Sequence, residues 1–195
     1  MKLQSAASIS ILAVAVAVAL SGCMARRLAQ AGHEDHDKPL QVPQTPAALK
    51  VPEGRVLMNE LRATGVQIYE CGTDKADDSK YAWNFKAPEA DLFETRGKQR
   101  GEKIGKHYGG PTWEGNDGSK VVGMVQASEN STDANAITWL LLGVKSNSGD
   151  GIFAKTANIQ RLETSGGKAP VDGCDQAHLG TQARVPYSAK YYFYN

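Results

Sequence analysis

"VPYSAKYYFY", Val185–Tyr194, decides the fold. Val185, Tyr187, Ala189, Tyr191 and Phe193 share one parity; Ser188, Lys190, Tyr192 and Tyr194 share the other. Period two puts successive side chains on opposite faces of an extended chain, and aromatic residues suit that pleated surface. The stretch therefore reads as a half-buried β-strand.

The same texture extends toward the N-terminus. "YAWNFKA" alternates Tyr81, Trp83 and Phe85 against Ala82, Asn84 and Lys86. "GVQIYEC" gives a strand over Val66–Cys71, "SKVVGMVQA" one that starts after the "NDG" turn, and "TANIQRLET" one over Thr156–Thr164. "AITWLLLGVK" is continuously apolar over Ile137–Val144 and predicts a strand buried on both sides. Trp83 and Trp139 sit in these patterns and are expected in the core. "SNSGDG", "TSGGKAP" and "GGP" separate the runs as turns, and "TDANAI" predicts a short helical turn. No long segment has helical period. Residues 51–195 thus predict a single all-β domain, an antiparallel β-sandwich or barrel-like structure with aromatic residues inside.

The first residues read as targeting. Lys2 precedes the apolar run Ser8–Leu20, and "LSGC", Leu20–Cys23, resembles the lipobox of bacterial lipoproteins. The resemblance implies a signal peptide over 1–22 and a diacylated Cys23 as mature N-terminus. By the enterobacterial sorting rule, Met24 after the cysteine favours the outer membrane, with the domain facing the periplasm. Competing readings are ordinary cleavage after "AQA" (Ala29–Ala31) and an uncleaved anchor over Ala6–Ala25. Arg26 and Arg27 count against both, lying between the apolar run and the cut in the first and on the translocated side in the second. Residues 23–50 carry scattered prolines and charges with no steady period, which predicts a flexible tether.

Two cysteines remain, Cys71 and Cys174. In an oxidising compartment an even pair most simply forms one disulfide, here closing a loop of about 100 residues. Two buried thiols or a redox pair are the alternatives, the latter without the usual C-x-x-C spacing.

Removing residues 1–22 removes one Lys and no acid, leaving 21 basic and 21 acidic residues. A balanced chain lacks the positive excess of a nucleic-acid binder or a polybasic membrane-surface protein. The basic run "RGKQRGEKIGKH" reads as a solvated hairpin or loop. His33 and His36 in "HEDHD" carry metal-ligand chemistry, but in a polar linker they form at most a weak chelator. No metal and no cofactor is expected.

"GKHYGGPTWEGNDGS", Gly105–Ser119, is the densest candidate site: one His, two aromatics and two acids among five glycines. His107 with Glu114 or Asp117 is the arrangement of a general base and its partner, and Ser119 that of a nucleophile. Ser119 lacks the G-x-S-x-G elbow, and no second histidine lies near in sequence. The structural alternative makes the stretch a corner, with glycines turning the chain, Trp113 capping the core, His107 satisfying a backbone group, and Glu114 and Asp117 binding turn amides. If it is a site, His107, Tyr108, Trp113, Glu114 and Asp117 line it, and aromatic faces with few polar groups suit a small apolar ligand or a glycan.

"GVQIYEC", "WNFKAPEADLF", "GKHYGGPTWEGNDGSKVVG", "WLLL", "IQRLETSGGKAP" and "VPYSAKYYFY" occur in this order. Together they resemble the bacterial and fungal family called domain of unknown function 3455, over nearly all of residues 51–195. The resemblance implies no activity, since none is established for the family. A malate dehydrogenase label attached to some fungal members finds no support, because no G-x-G-x-x-G joins a strand to a helix and no βαβ pattern occurs. "TRGKQRGEKIGKHY" is longer than the family's short turn before His-Tyr, which predicts an extended hairpin. Three functional readings follow, in order: a lipid-anchored, non-enzymatic envelope domain that binds a ligand or partner; a structural or stress-related envelope protein without a pocket; and a hydrolase using His107 with Glu114 or Asp117.

Overall fold

A computed structural model describes residues 39–97 and 99–195. The proposed signal peptide, Cys23, His33 and His36 lie outside the described residues. Eight strands follow one another: β1 Leu57–Thr73, β2 Tyr81–Glu94, β3 Lys103–Tyr108, β4 Thr112–Gly115, β5 Lys120–Glu129, β6 Trp139–Ser148, β7 Asn158–Gly166 and β8 Gln182–Tyr194. Each pairs antiparallel with the next, and β8 returns to β1, closing the sheet into a ring. Closure leaves no edge strand exposed, which distinguishes this barrel from the sandwich form of the same prediction.

Alternation fills the interior. Leu61 and Ala63 of β1, Ala90 and Leu92 of β2, Trp113 of β4, and Tyr187, Ala189, Tyr191 and Phe193 of β8 all belong to one buried cluster. Tight coiling needs bare backbone at two inward positions. A Cβ at Gly65 would lie 2.1 Å from the Glu89 carbonyl oxygen, and one at Gly105 2.4 Å from that of Glu114. Only glycine fits where strands approach so closely.

The second face of β8 is also buried. Tyr192 and Tyr194, on the parity of Ser188 and Lys190, join Leu49, Leu57, Leu141 and Leu162 in a separate cluster outside the barrel. Leu49 is fully buried in the 3₁₀ turn Ala47–Leu49. Gln160 donates to its carbonyl at 2.6 Å and accepts from the Tyr194 hydroxyl at 2.7 Å. The compact unit therefore begins at Pro39, and residues 39–50, assigned to the tether by composition, cover one wall of the barrel. The same cover explains the all-apolar run of β6: Leu142 faces inward while Leu141 and Trp139 meet the N-terminal segment.

Several local expectations change. Strand β3 forms a hairpin with β2 where a solvated hairpin or loop was expected, and β4 forms where a corner was expected. Trp139 packs, half-buried, against the outer core cluster, and Trp83 lies at the margin of the interior, half-buried with its indole N–H donated to the Asp172 carbonyl at 2.9 Å. "TDANAI" closes as a turn, with the Ala136 amide donated to the Asp133 carbonyl. The expected disulfide joins Cys71 and Cys174 and ties the loop before β8 to the end of β1.

Candidate functional site

Strands β3 and β4 form a hairpin in which His107 pairs with Trp113, Lys106 with Glu114 and Tyr108 with Thr112. Successive residues point to opposite faces. His107 and Trp113 therefore enter the barrel, while Tyr108 and Glu114 stay on its outer wall. Asp117 lies beyond β4, in the turn to β5. The five candidate residues split into three places: His107 and Trp113 share the interior, Tyr108 and Glu114 share the outer wall, and Asp117 stands apart.

His107 is buried, and its ring nitrogen Nδ1 lies 2.8 Å from the Thr112 carbonyl oxygen. A carbonyl only accepts, so Nδ1 carries the proton. Burial lowers the imidazole pKa to about 3; the Thr112 bond opposes this, and the charge of Arg161 adds to it. The ring is therefore neutral near pH 7 and a weak proton acceptor. Its neighbours are Thr112, Trp113 and Tyr191, and neither Glu114 nor Asp117 is among them.

On the outer wall the Tyr108 hydroxyl donates to Glu114 Oε2 at 2.5 Å, and Lys120 Nζ lies 3.3 Å from the same oxygen. The Tyr108 hydroxyl and then Lys120 hold the Glu114 carboxyl below its ordinary value, and the carboxylate raises the Tyr108 pKa. This is a cross-strand surface cluster that stitches β3, β4 and β5 together.

Asp117 is the corner residue. Its Oδ1 accepts from the Ser119 amide at 2.9 Å and from the Ser119 hydroxyl at 2.6 Å, and its Oδ2 accepts from the Ile152 amide at 2.8 Å. Partial burial pushes its pKa up, but these hydrogen bonds outweigh it and leave the net shift downward. Ser119 is fully buried, and its oxygen also accepts from the Phe153 amide at 3.1 Å. A hydroxyl so engaged, without a base beside it, is a structural link and not a nucleophile. His178 lies in an exposed turn against Asp175, away from His107 and the barrel interior. Among the described residues no three His, Cys, Asp or Glu cluster as metal ligands.

A cavity of about 160 Å³ opens where the β3–β4 turn meets the strand ends. Phe85, Pro88, Pro111, Val125 and Leu140 wall it, with the buried side chains His107, Trp113 and Tyr191 further in. The charged side chains lining it are Lys86 and Arg161. Lys86 is neutralised by Glu70 at 2.5 Å, whereas Arg161 bonds the Thr138 carbonyl through Nε at 3.1 Å and Nη2 at 2.8 Å. Two wider depressions are outer grooves. One, across Thr64, Glu89 and Lys106, is crossed by the Arg184–Glu89 ion pair; the other lies between the N-terminal segment and Tyr194.

The barrel interior also holds unpaired polar atoms. Trp113 Nε1, Gln67 Nε2 and the Tyr187 and Tyr191 hydroxyls are buried without a hydrogen-bond partner. The Tyr187 hydroxyl interacts with Tyr191 and Gln67, and the Tyr191 hydroxyl with Tyr187 and Arg161, but none of these contacts reaches full hydrogen-bond geometry. Buried polar groups are seldom left unpaired, and those that are call for an explanation such as an ordered water or a bound group.

The sequence reading missed Arg161 and Phe85 as site residues. The available signal was parity: Arg161 shares the inward phase of Ile159 in β7, and Phe85 that of Trp83 in β2.

The geometry defines a closed eight-stranded barrel with an aromatic-walled cavity at one end. A family model described as protein of unknown function (DUF3455) matches residues 52–195, and the chain belongs to that family. No curated protein and no solved structure matches it.

Proposed function

We propose that the protein is a lipid-anchored envelope domain that binds a small apolar ligand in the mouth of its barrel. The carrying observation is the cavity walled by Phe85, Pro111, Val125 and Leu140 with Trp113 and Tyr191 behind them. Eight-stranded barrels have interiors sized either to be filled by side chains or to hold one small ligand. The mostly apolar walls favour an apolar ligand over a glycan. They also count against an envelope protein without a pocket. The hydrolase reading loses its pair, because His107 meets neither carboxylate.

Titration of the full chain with toluene and benzyl alcohol tests the reading. Binding is expected to raise the melting temperature and to change the tryptophan fluorescence through Trp113. Val125→Trp places a large ring at a half-exposed position of the rim and is expected to abolish both responses while the barrel stays folded. Silence of the parent chain toward these probes and toward benzoate alike, or responses unchanged by Val125→Trp, would refute it.

The anchor is supported by "LSGC" at Leu20–Cys23 and by the disulfide, which suits an exported protein. Acyl chains contribute about 0.8 kcal/mol per buried methylene, so a multiply acylated Cys23 holds firmly to a bilayer, here the periplasmic face of the outer membrane. Labelled palmitate should enter the parent and not Cys23→Ser, and Cys23→Ser should leave the membrane fraction. Equal fractionation of the two would exclude the anchor.

A further inference from the structure

Resting on that binding reading, we propose that the ligand is a small organic monocarboxylate, its carboxylate on Arg161 and its apolar body among Pro111, Trp113 and Leu140.

Several cations on the barrel are already compensated by carboxylates. Lys103 pairs with Asp91, Lys120 with Glu114, Arg184 with Glu89, and Lys190 with Glu60 and Glu163. Arg161 pairs with no carboxylate among the described residues; its partner is the neutral Thr138 carbonyl. Those two bonds use Nε and Nη2 and fix the guanidinium plane. A guanidinium has five N–H donors, so Nη1 and part of Nη2 remain for a ligand. A fork held in place loses little freedom when it grips a planar carboxylate with two parallel bonds.

The cation acts on the interior. Its charge bears on His107, Tyr69, Tyr187 and Tyr191 alike. The Tyr191 hydroxyl interacts with Arg161 and Tyr187 without completing a well-formed hydrogen bond, and it offers a second donor at the same end of the cavity. Lys86 also lines the cavity, but Glu70 already cancels its charge. One uncompensated positive charge matches a monoanion, while a phosphate monoester brings nearly two negative charges. A neutral or cationic occupant would strip water from Arg161 without replacing the lost interaction.

Size narrows the class further. An apolar cavity of about 150 Å³ holds benzene, and this one measures about 160 Å³. It admits a benzoate-sized acid or a short alkanoate and excludes the body of a membrane lipid.

Calorimetric titration of the full chain with benzoate, hexanoate, benzyl alcohol and phenyl phosphate tests this. Benzoate or hexanoate is expected to bind about tenfold or more tightly than benzyl alcohol, since a charge-assisted hydrogen bond carries at least that factor. Which of the two binds better tells a flat occupant from a chain. Arg161→Gln should remove the preference for the acid over the alcohol, and Arg161→Lys should restore part of it. The parent's own acid-to-alcohol ratio needs no variant, so the proposal stays falsifiable if Arg161→Gln folds poorly. Equal affinity for acid and alcohol, a preference that survives Arg161→Gln, or tighter binding of phenyl phosphate would overturn the carboxylate assignment alone. Failure of every probe would overturn the cavity reading with it.

Discussion

The imidazole of His107 lies face to face on the indole of Trp113, with ring centroids 4.4 Å apart and planes 12° from parallel. Tyr191 meets both rings edge-on, at 5.1 Å and 5.3 Å. Phe193 extends the group from Trp113 at 6.1 Å. His107 thus works as an aromatic core residue whose polar tip is satisfied by Thr112. Offset and edge-on aromatic pairs contribute about 0.5–1.5 kcal/mol each beyond the area they bury.

That burial makes stability depend on pH. An unfolded histidine binds its proton near pH 6.5 and His107 in the barrel only near 3. Between those values the unfolded chain holds the extra proton, so stability rises with pH. The contribution is complete above 6.5, falls as pH drops, and stops falling near 3. The slope approaches about 1.4 kcal/mol per pH unit once the unfolded histidine is fully protonated. Urea unfolding at pH 7, 6 and 5 is expected to show this decline, and His107→Gln to flatten it. An unchanged slope in the variant would show that His107 already titrates normally in the folded chain.

Ser119 separates the corner reading from the catalytic one. Ser119→Ala removes the hydroxyl bond to Asp117 and leaves the buried Phe153 amide without an acceptor. Leaving a buried donor unsatisfied costs about 1–3 kcal/mol. The expected outcome is a lower urea midpoint with affinity for cavity probes unaltered. Asp117→Asn should act in the same direction through the Ile152 amide, more weakly because the site is partly solvated. A loss of probe binding at unchanged stability would contradict the corner reading.

Reduction of Cys71–Cys174 should act on the loop before β8. The bond joins residues 103 apart in sequence. Near it, the Cys71 amide donates to the Thr181 carbonyl and the Gly180 amide to the Cys71 carbonyl. Bridges of this kind contribute about 2–5 kcal/mol, mainly by restricting the unfolded chain. Dithiothreitol, or the double change Cys71→Ala and Cys174→Ala, is expected to lower the unfolding midpoint while cavity binding persists, since neither cysteine lines the cavity. An unshifted midpoint would show that the bridge adds nothing.

The strands were legible where a period-two pattern ran long enough to show. The parity of Tyr187, Tyr191 and Phe193 grouped them on one face of β8, which the barrel turns inward. The paired cysteines predicted the bridge. Strand β3 was legible only as part of a hairpin, and the bounds of β3 and the existence of β4 were hidden, because "KIGKHY" and "TWEG" are short and glycine-interrupted, and neighbouring strands hold them in place. The candidate site was half legible for a related reason. Local sequence density collected His107, Tyr108, Trp113, Glu114 and Asp117, but the pleat then sent neighbours to opposite faces. Arg161 and Phe85 join His107 and Trp113 only through ring closure, which brings β2, β3, β4 and β7 around one cavity. No window of sequence contains that proximity.

The sharpest departure concerns Leu49. Composition placed it in a tether, because "PQTPAALKVPEG" has prolines and no period. Its partners are instead supplied by the barrel: Tyr192 and Tyr194 on the outer face of β8, Leu141 on β6 and Leu162 on β7. Tyr192 donates to Glu163 at 2.9 Å and Tyr194 to Gln160 at 2.7 Å, so the rings are fixed at their polar ends while their faces need an apolar cover. Leu49→Ala is expected to destabilise the domain by about 2–5 kcal/mol, the range for a large-to-small change at a buried site. Removing residues 1–38 should leave the midpoint of denaturant unfolding unchanged, whereas removing 1–50 should lower it and expose Tyr192 and Tyr194 to a hydrophobic dye. Equal midpoints for the two truncations would return residues 39–50 to the tether.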